Sequence, residues 1–176
     1  MKLSKTRKIT LAAFFLTLGL ILPFFTGQIP TIGSQLLPMH IPILLCGFIL
    51  GGGYGALVGF ITPLLRSMLF GMPPILTATT MAFELAAYGF FTGFLYRKLE
   101  KNTINIYLTL IVSMLLGRII WGIISCMIYG IGTKGFGFAA FITGGFTNAI
   151  PGIVLQVIII PLLVISLKKG NHLYEE

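Results

Sequence analysis

The sequence contains very few acidic residues. It has no aspartate, only four glutamates, and 9% charged residues in 176. A soluble domain carries charge on about a quarter of its residues, because that charge covers its surface. Here 56% of residues are hydrophobic and the mean hydropathy is +1.01. The composition therefore excludes an ordinary soluble domain and indicates an integral membrane protein.

Catalytic and metal-binding motifs are also missing. The two cysteines, Cys46 and Cys126, lie in separate apolar stretches, with neither a CxxC motif nor a Cys/His cluster. Such isolated cysteines support neither a disulfide framework nor a zinc site. The sequence has no P-loop, HExxH or GxSxG motif. We therefore predict a protein that is not an enzyme, with no cofactor and no metal.

What the sequence has instead is a series of long apolar segments without the alternation typical of strands, so we read them as helices. The second is short for a full span, which predicts a tilted or recessed helix. Pro151 and Pro161 should bend or end the last one. We predict a single domain over residues 1–176, an all-α integral membrane protein with six transmembrane helices in a compact bundle. The segments are 9–25, 39–50, 54–70, 77–96, 104–129 and 138–167.

The positive charges flank these segments. Nine of the twelve Lys and Arg residues lie just outside three segment ends, near the N-terminus, at 97–101 and at 168–169. By the positive-inside rule, both termini are then cytoplasmic. The opposite side carries Lys134 as its single positive charge. The net charge of +8 thus marks membrane orientation, and no basic, aromatic stripe predicts nucleic-acid binding.

Arg66, Glu84 and Arg118 lie inside predicted spans. Each costs roughly 2.5–3.5 kcal/mol near the bilayer centre, so such residues usually face a protein interior or a wet cavity. Arg66 and Glu84 could form a structural ion pair with each other, or all three could contact a ligand. Two arginines against one glutamate predict a net positive site that suits a carboxylate or phosphate. The topology places the three in the outer half of the membrane.

Further polar residues share helical faces with these charges. They extend a predicted small-molecule pocket, mostly apolar with a few placed polar groups. Each also has a structural interpretation: a helix start for His40, aromatic packing for Trp121, and an interhelical hydrogen bond for Gln156. The additional candidates for substrate binding are His40, Tyr88, Trp121, Asn148 and Gln156.

Several runs of the sequence resemble the substrate-binding S components of energy-coupling-factor (ECF) vitamin transporters. The longest is LPMHIPILLCGFILGGGYGALVGFITPLLRS at 37–67. The others are GMPP at 71–74, MAFELAAYG at 81–89, GRIIWG at 117–122 and NAIPG at 148–152. The resemblance extends over essentially the whole chain.

This resemblance implies a six-helix bundle in the bacterial plasma membrane that binds a vitamin from outside. The gate would be the loop 27–38 together with the loop after the third helix. Such proteins contain no ATPase and dock, through small residues on the first helix, on a transmembrane coupling subunit that carries two ABC ATPases. The nearest docking match here is Ala13-xxx-Thr17 with Ala12 beside it. Among family substrates, the anionic pantothenate fits the predicted charges best, and riboflavin or a pyridoxine-type vitamin remains open.

One alternative is a self-sufficient permease that uses Glu84 for proton coupling. Internal repeats would favour it, but segments one to three and four to six show no convincing repeat. A small membrane enzyme or assembly factor is a third class, which tight binding of an unmodified vitamin without turnover would exclude.

Overall fold

The computed structural model describes residues 4–26, 35–130 and 136–169. Helix α1 continues into a 3-10 turn at Leu22–Thr26, and α6 continues into a wider π turn at Thr143–Thr147. The described ranges contain no β-strand, so the all-α prediction is confirmed for them. The helices are α1 Lys5–Ile21, α2 His40–Leu50, α3 Gly52–Phe70, α4 Ile75–Lys98, α5 Thr103–Tyr129, α6 Phe138–Ile142 and α7 Ile150–Lys169.

Five helical stretches in the described part of the chain are long and apolar enough to cross a membrane. The sixth predicted span is not confirmed, because α2 has only 11 residues. At 1.5 Å per residue α2 is about 16 Å long, roughly half of the hydrocarbon thickness. The five stretches are Lys5–Phe25, Gly52–Phe70, Ile75–Lys98, Thr103–Tyr129 and Ile150–Lys168.

The last predicted segment is broken earlier than its prolines indicate. Helix α6 ends at Ile142, and the chain passes through Gly144 and Gly145 before α7 begins at Ile150. Pro151 occupies the first turn of α7, where its missing N–H has no intrahelical partner to lose. Pro161 lies inside α7 without ending it. The glycine pair lies in the π turn, and the break falls just after it at residues 148–149, so segment six is one short and one long helix.

Helices α3 and α4 pack backbone to backbone through glycines. A Cβ added to Gly89 would lie 2.3 Å from the carbonyl carbon of Gly55, and one added to Gly59 would lie 2.3 Å from the Leu85 oxygen. Helix α2 joins the contact, since a Cβ on Gly47 would lie 2.7 Å from the Gly89 oxygen. Small residues allow such close approach in membranes. Helix α4 thereby packs against α2, α3 and α5, while α1 packs on α2 and α3.

An interhelical hydrogen bond fixes the depth of the short helix α2. The Nη2 of Arg97, near the end of α4, donates to the Leu50 oxygen at 3.1 Å. The C-terminal end of α2 therefore lies level with the C-terminal end of α4. Because α2 is only about 16 Å long, its first residue, His40, is placed beside the middle of α4.

Candidate ligand-binding site

A buried ion pair joins α4 to α5. The Nη1 of Arg118 lies 2.8 Å from Glu84 Oε1, and the two side chains are 5% and 2% exposed. Glu84 lies about 14 Å along α4 from Ile75, and Arg118 about 17 Å before the end of α5. The pair thus occupies the middle portion of the two longest helices.

His40 and Tyr88 complete this cluster. The Nε2 of His40 lies 3.7 Å from Glu84 Oε1. The His40 and Tyr88 rings meet edge to face with centroids 5.2 Å apart, and both side chains are buried. Tyr88 follows Glu84 by four residues, so both lie on one face of α4. Helices α2, α4 and α5 therefore bring together four of the eight predicted site residues: His40, Glu84, Tyr88 and Arg118.

Arg66 lies apart from the cluster. Its guanidinium donates to the Leu20 oxygen of α1 and lies over the Phe24 and Phe70 rings, 4.8 and 5.3 Å from their centroids. It stands about 6 Å from the end of α3, whereas Glu84 is about 14 Å from the facing end of α4. The interpretation of Arg66 and Glu84 as an ion pair is therefore wrong. The prediction of two arginines against one glutamate at the site is also corrected, because the cluster contains one arginine and one glutamate.

Three other candidates take separate positions. Trp121 is half-buried and packs on Phe136 and Phe141, with ring centroids 5.1 and 6.2 Å away. Asn148 is exposed at the end of the π turn, so the structure does not bring it to the cluster. Gln156 of α7 is fully buried, and among the described residues neither of its amide atoms has a hydrogen-bond partner.

A cleft of about 190 Å³ opens beside the ion pair, between α5 and α7. Arg118 is the charged member of its lining, and Tyr88 contributes the one other polar side chain. Sequence reasoning missed the apolar members, because aliphatic residues in a membrane helix carry no distinguishing signal. Helical spacing could have identified two of these apolar residues. Ile111 and Met114 precede Arg118 by seven and four residues, so they share one face of α5 with it. The lining is Tyr88, Ile111, Met114, Leu115, Arg118, Phe146, Ile153 and Val157.

Arg118 lines this cleft and has two donors without a partner among the described residues. Its Nη1 binds Glu84, whereas its Nε and Nη2 are buried and have no hydrogen-bond partner in the described part of the chain. A buried donor without a partner costs about 1–3 kcal/mol, and more when it is charged. The arrangement is thus suited to bind a ligand that accepts hydrogen bonds.

The predicted docking residues on α1 divide between two faces. Ala12 is 9% exposed and packs in the core with Phe15, so its assignment to an outward docking face is corrected. Ala13 and Thr17 are exposed on the opposite face. The Thr17 hydroxyl donates to the Ala13 oxygen at 2.9 Å, which removes its polar hydrogen from the lipid.

The predicted gate lies largely beyond what can be described, because residues 27–34 fall outside the described ranges. Its last part, 35–38, leads towards α2, which begins at His40. A Cβ added to Gly152 of α7 would lie 2.6 Å from the Gln35 oxygen. This end of the loop therefore rests on the start of α7, next to the cleft.

Comparison with known proteins identifies a family. A family described as "ECF transporter, substrate-specific component" matches residues 7–164. Neither a curated protein nor a solved structure matches the chain.

Proposed function

The chain belongs to the family of substrate-specific components of ECF transporters, and we propose that it captures a vitamin from outside the cell at the cleft beside Arg118. The family is one of transport subunits rather than enzymes. The observation that carries the proposal is the buried Glu84–Arg118 pair, because Arg118 lines a cleft within the helical bundle and two of its donors have no partner among the described residues. Intramembrane charges commonly mark substrate sites.

Pantothenate is the first candidate cargo. Its carboxylate matches Arg118, the charged residue in the cleft lining, because guanidinium binds carboxylates through a rigid fork of donors. Riboflavin and pyridoxine-type vitamins lack that carboxylate and rank lower. Arg118 alone is now the basis for this choice, because Arg66 lies apart from the cleft and Glu84 balances the charge of Arg118.

Release into the cell would require partners. We propose that the chain docks on a transmembrane coupling subunit with two ABC ATPases in a bacterial plasma membrane, with both termini cytoplasmic. The outward Ala13 and Thr17 of α1 support this docking, since their small side chains permit close approach between helices.

Uptake assays test the function directly. Cells that express the chain with an ECF coupling module should accumulate labelled pantothenate, or another vitamin of the panel, and cells with either part alone should not. Accumulation by the chain alone, abolished by a protonophore, would contradict the proposal and favour a proton-coupled permease. Mass spectrometry of the molecule that co-purifies with the protein would identify the cargo independently.

A further inference from the structure

The unpartnered donors of Arg118 lie on one edge of its guanidinium. Nη1 is taken by Glu84, and the two nitrogens that remain are Nε and Nη2. In a planar guanidinium, the N–H of Nε and one N–H of Nη2 point in nearly parallel directions. This is the edge that binds a carboxylate through two hydrogen bonds. The side chain is 5% exposed, so water competes little for that edge.

Glu84 holds the guanidinium in place for such a contact. Its bond to Nη1 lies on a different edge, so the guanidinium separates Glu84 from an incoming carboxylate. The carboxylate and Glu84 would then share one positive charge. His40 Nε2 lies 3.7 Å from Glu84 Oε1.

Apart from Tyr88, the rest of the cleft is apolar. Ile111, Met114 and Leu115 form the α5 wall, and Ile153 and Val157 form the α7 wall. These side chains offer no hydrogen bonds to hydroxyl or amide groups of a ligand, and a polar group buried against them loses its contacts with water. The volume of about 190 Å³ is below the roughly 300–1,000 Å³ of drug-sized sites. The walls therefore fit a small, largely apolar body.

We propose that the cleft binds a small monocarboxylic acid with a largely apolar body. The carboxylate accepts from Nε and Nη2 of Arg118, and the apolar part lies between α5 and α7. This inference rests on the proposed function but changes its ranking of cargoes. It places pantothenate, whose body carries hydroxyls and an amide, below a monocarboxylic acid with an apolar body.

Matched probes test the carboxylate contact. The purified full chain in lipid nanodiscs is titrated with cyclohexanecarboxylate and with cyclohexanecarboxamide, by calorimetry and by thermal shift. The acid should bind at least about tenfold more tightly, the effect expected of a charge-assisted bidentate contact. Equal affinity for acid and amide would overturn the assignment.

Arg118→Lys tests the two-donor edge of the guanidinium separately from its positive charge. It keeps a positive charge beside Glu84 but removes the bidentate edge, so the preference for the acid should fall about tenfold. The matched control is Arg7→Lys, an exposed arginine at the start of α1, which should leave the preference unchanged. If folded Arg118→Lys protein still preferred the acid to the amide as strongly as the unchanged protein does, the two-donor edge of Arg118 would not be the carboxylate contact.

A second variant, Val157→Thr, and a polar probe test the apolar walls of the cleft. These tests remain informative even if Arg118→Lys does not fold. Val157→Thr changes little in shape but adds a hydroxyl, and it should weaken binding of the acid. Pantothenate, whose body carries hydroxyls and an amide, should bind less tightly than cyclohexanecarboxylate. Tighter binding of pantothenate, or no binding of either acid, would overturn the inference. Vitamin uptake through the coupling module would still support the proposed function in both cases.

Discussion

At the scale of single residues, Glu84 has the largest effect on the interior of the bundle. It is fully enclosed, neutralises Arg118 at 2.8 Å and contacts His40. Loss of one partner from a buried ion pair leaves an uncompensated charge, which costs more than the pair itself contributes. The residue is thus a structural neighbour of the ligand site, and its removal should act first on stability.

Glu84→Gln should lower the free energy of unfolding by about 3–5 kcal/mol, because Arg118 would stay buried without a counter-charge. Thermal unfolding in detergent measures the effect. Glu100→Gln is the matched control, since Glu100 is exposed beyond the end of α4, and it should change stability by less than about 0.5 kcal/mol.

The double variant Glu84→Gln, Arg118→Met should be more stable than the sum of the two single changes predicts. Both charges are then absent, so no charge is left buried alone. Strict additivity of the two losses would show that the residues do not interact, and would contradict the ion pair.

At the scale of helices, α4 is the centre of the fold and α3 is its closest neighbour. Gly89 meets Gly55, and a Cβ on Gly93 would lie 2.0 Å from the Gly52 nitrogen. The patterns Gly55-xxx-Gly59 and Gly89-xxx-Gly93 therefore serve helix packing. Close approach of α3 and α4 sets the position from which Glu84 reaches α5.

Gly89→Ala should destabilise the protein by about 1–3 kcal/mol, because the added methyl would lie against the Gly55 backbone and push the helices apart. Gly53→Ala should instead be neutral or stabilising by up to about 1 kcal/mol. A Cβ there meets nothing within 4 Å, and alanine favours a helix over glycine. Equal effects of the two changes on the unfolding temperature would contradict the packing.

At the scale of the whole molecule, the short α2 and the break between α6 and α7 shape the ligand site. Helix α2 places His40 at mid-depth, and the break brings Phe146 to the cleft. Ala13 and Thr17 of α1 are exposed, on the face proposed for docking.

Ala13→Trp should spare ligand binding by the purified protein and abolish uptake with the coupling module, because a large ring blocks close helix approach. Ile123→Trp on α5, which is 49% exposed, is the control and should leave uptake intact. Uptake that persists in Ala13→Trp would exclude this face of α1 from docking.

Orientation is tested with single cysteines in a Cys126→Ala background, where Cys46 is buried. A membrane-impermeant maleimide should label Pro74→Cys in intact cells and Glu100→Cys after permeabilisation, because positively charged loops stay cytoplasmic. The reverse pattern would place the termini outside.

The sequence by itself determined the membrane class, the helical content and the family. These follow from composition, from apolar runs of sufficient length and from local motifs, none of which depends on contacts between distant residues. It also identified four members of the cluster, because a charge or polar group in an apolar helix is visible as an anomaly.

Only the tertiary structure decided which charges meet. Arg66, Glu84 and Arg118 are equally anomalous in sequence, yet a difference of about 8 Å in depth along their helices separates Arg66 from Glu84. Which charged side chains can form an ion pair depends on how each helix is rotated and how deep it lies. Glycine contacts and the Arg97–Leu50 hydrogen bond fix both, and they join residues that are far apart in the sequence. The same offsets turn Asn148 outward, bury Ala12 and create the cleft. Such packing of one helix on another leaves no local signal in the chain.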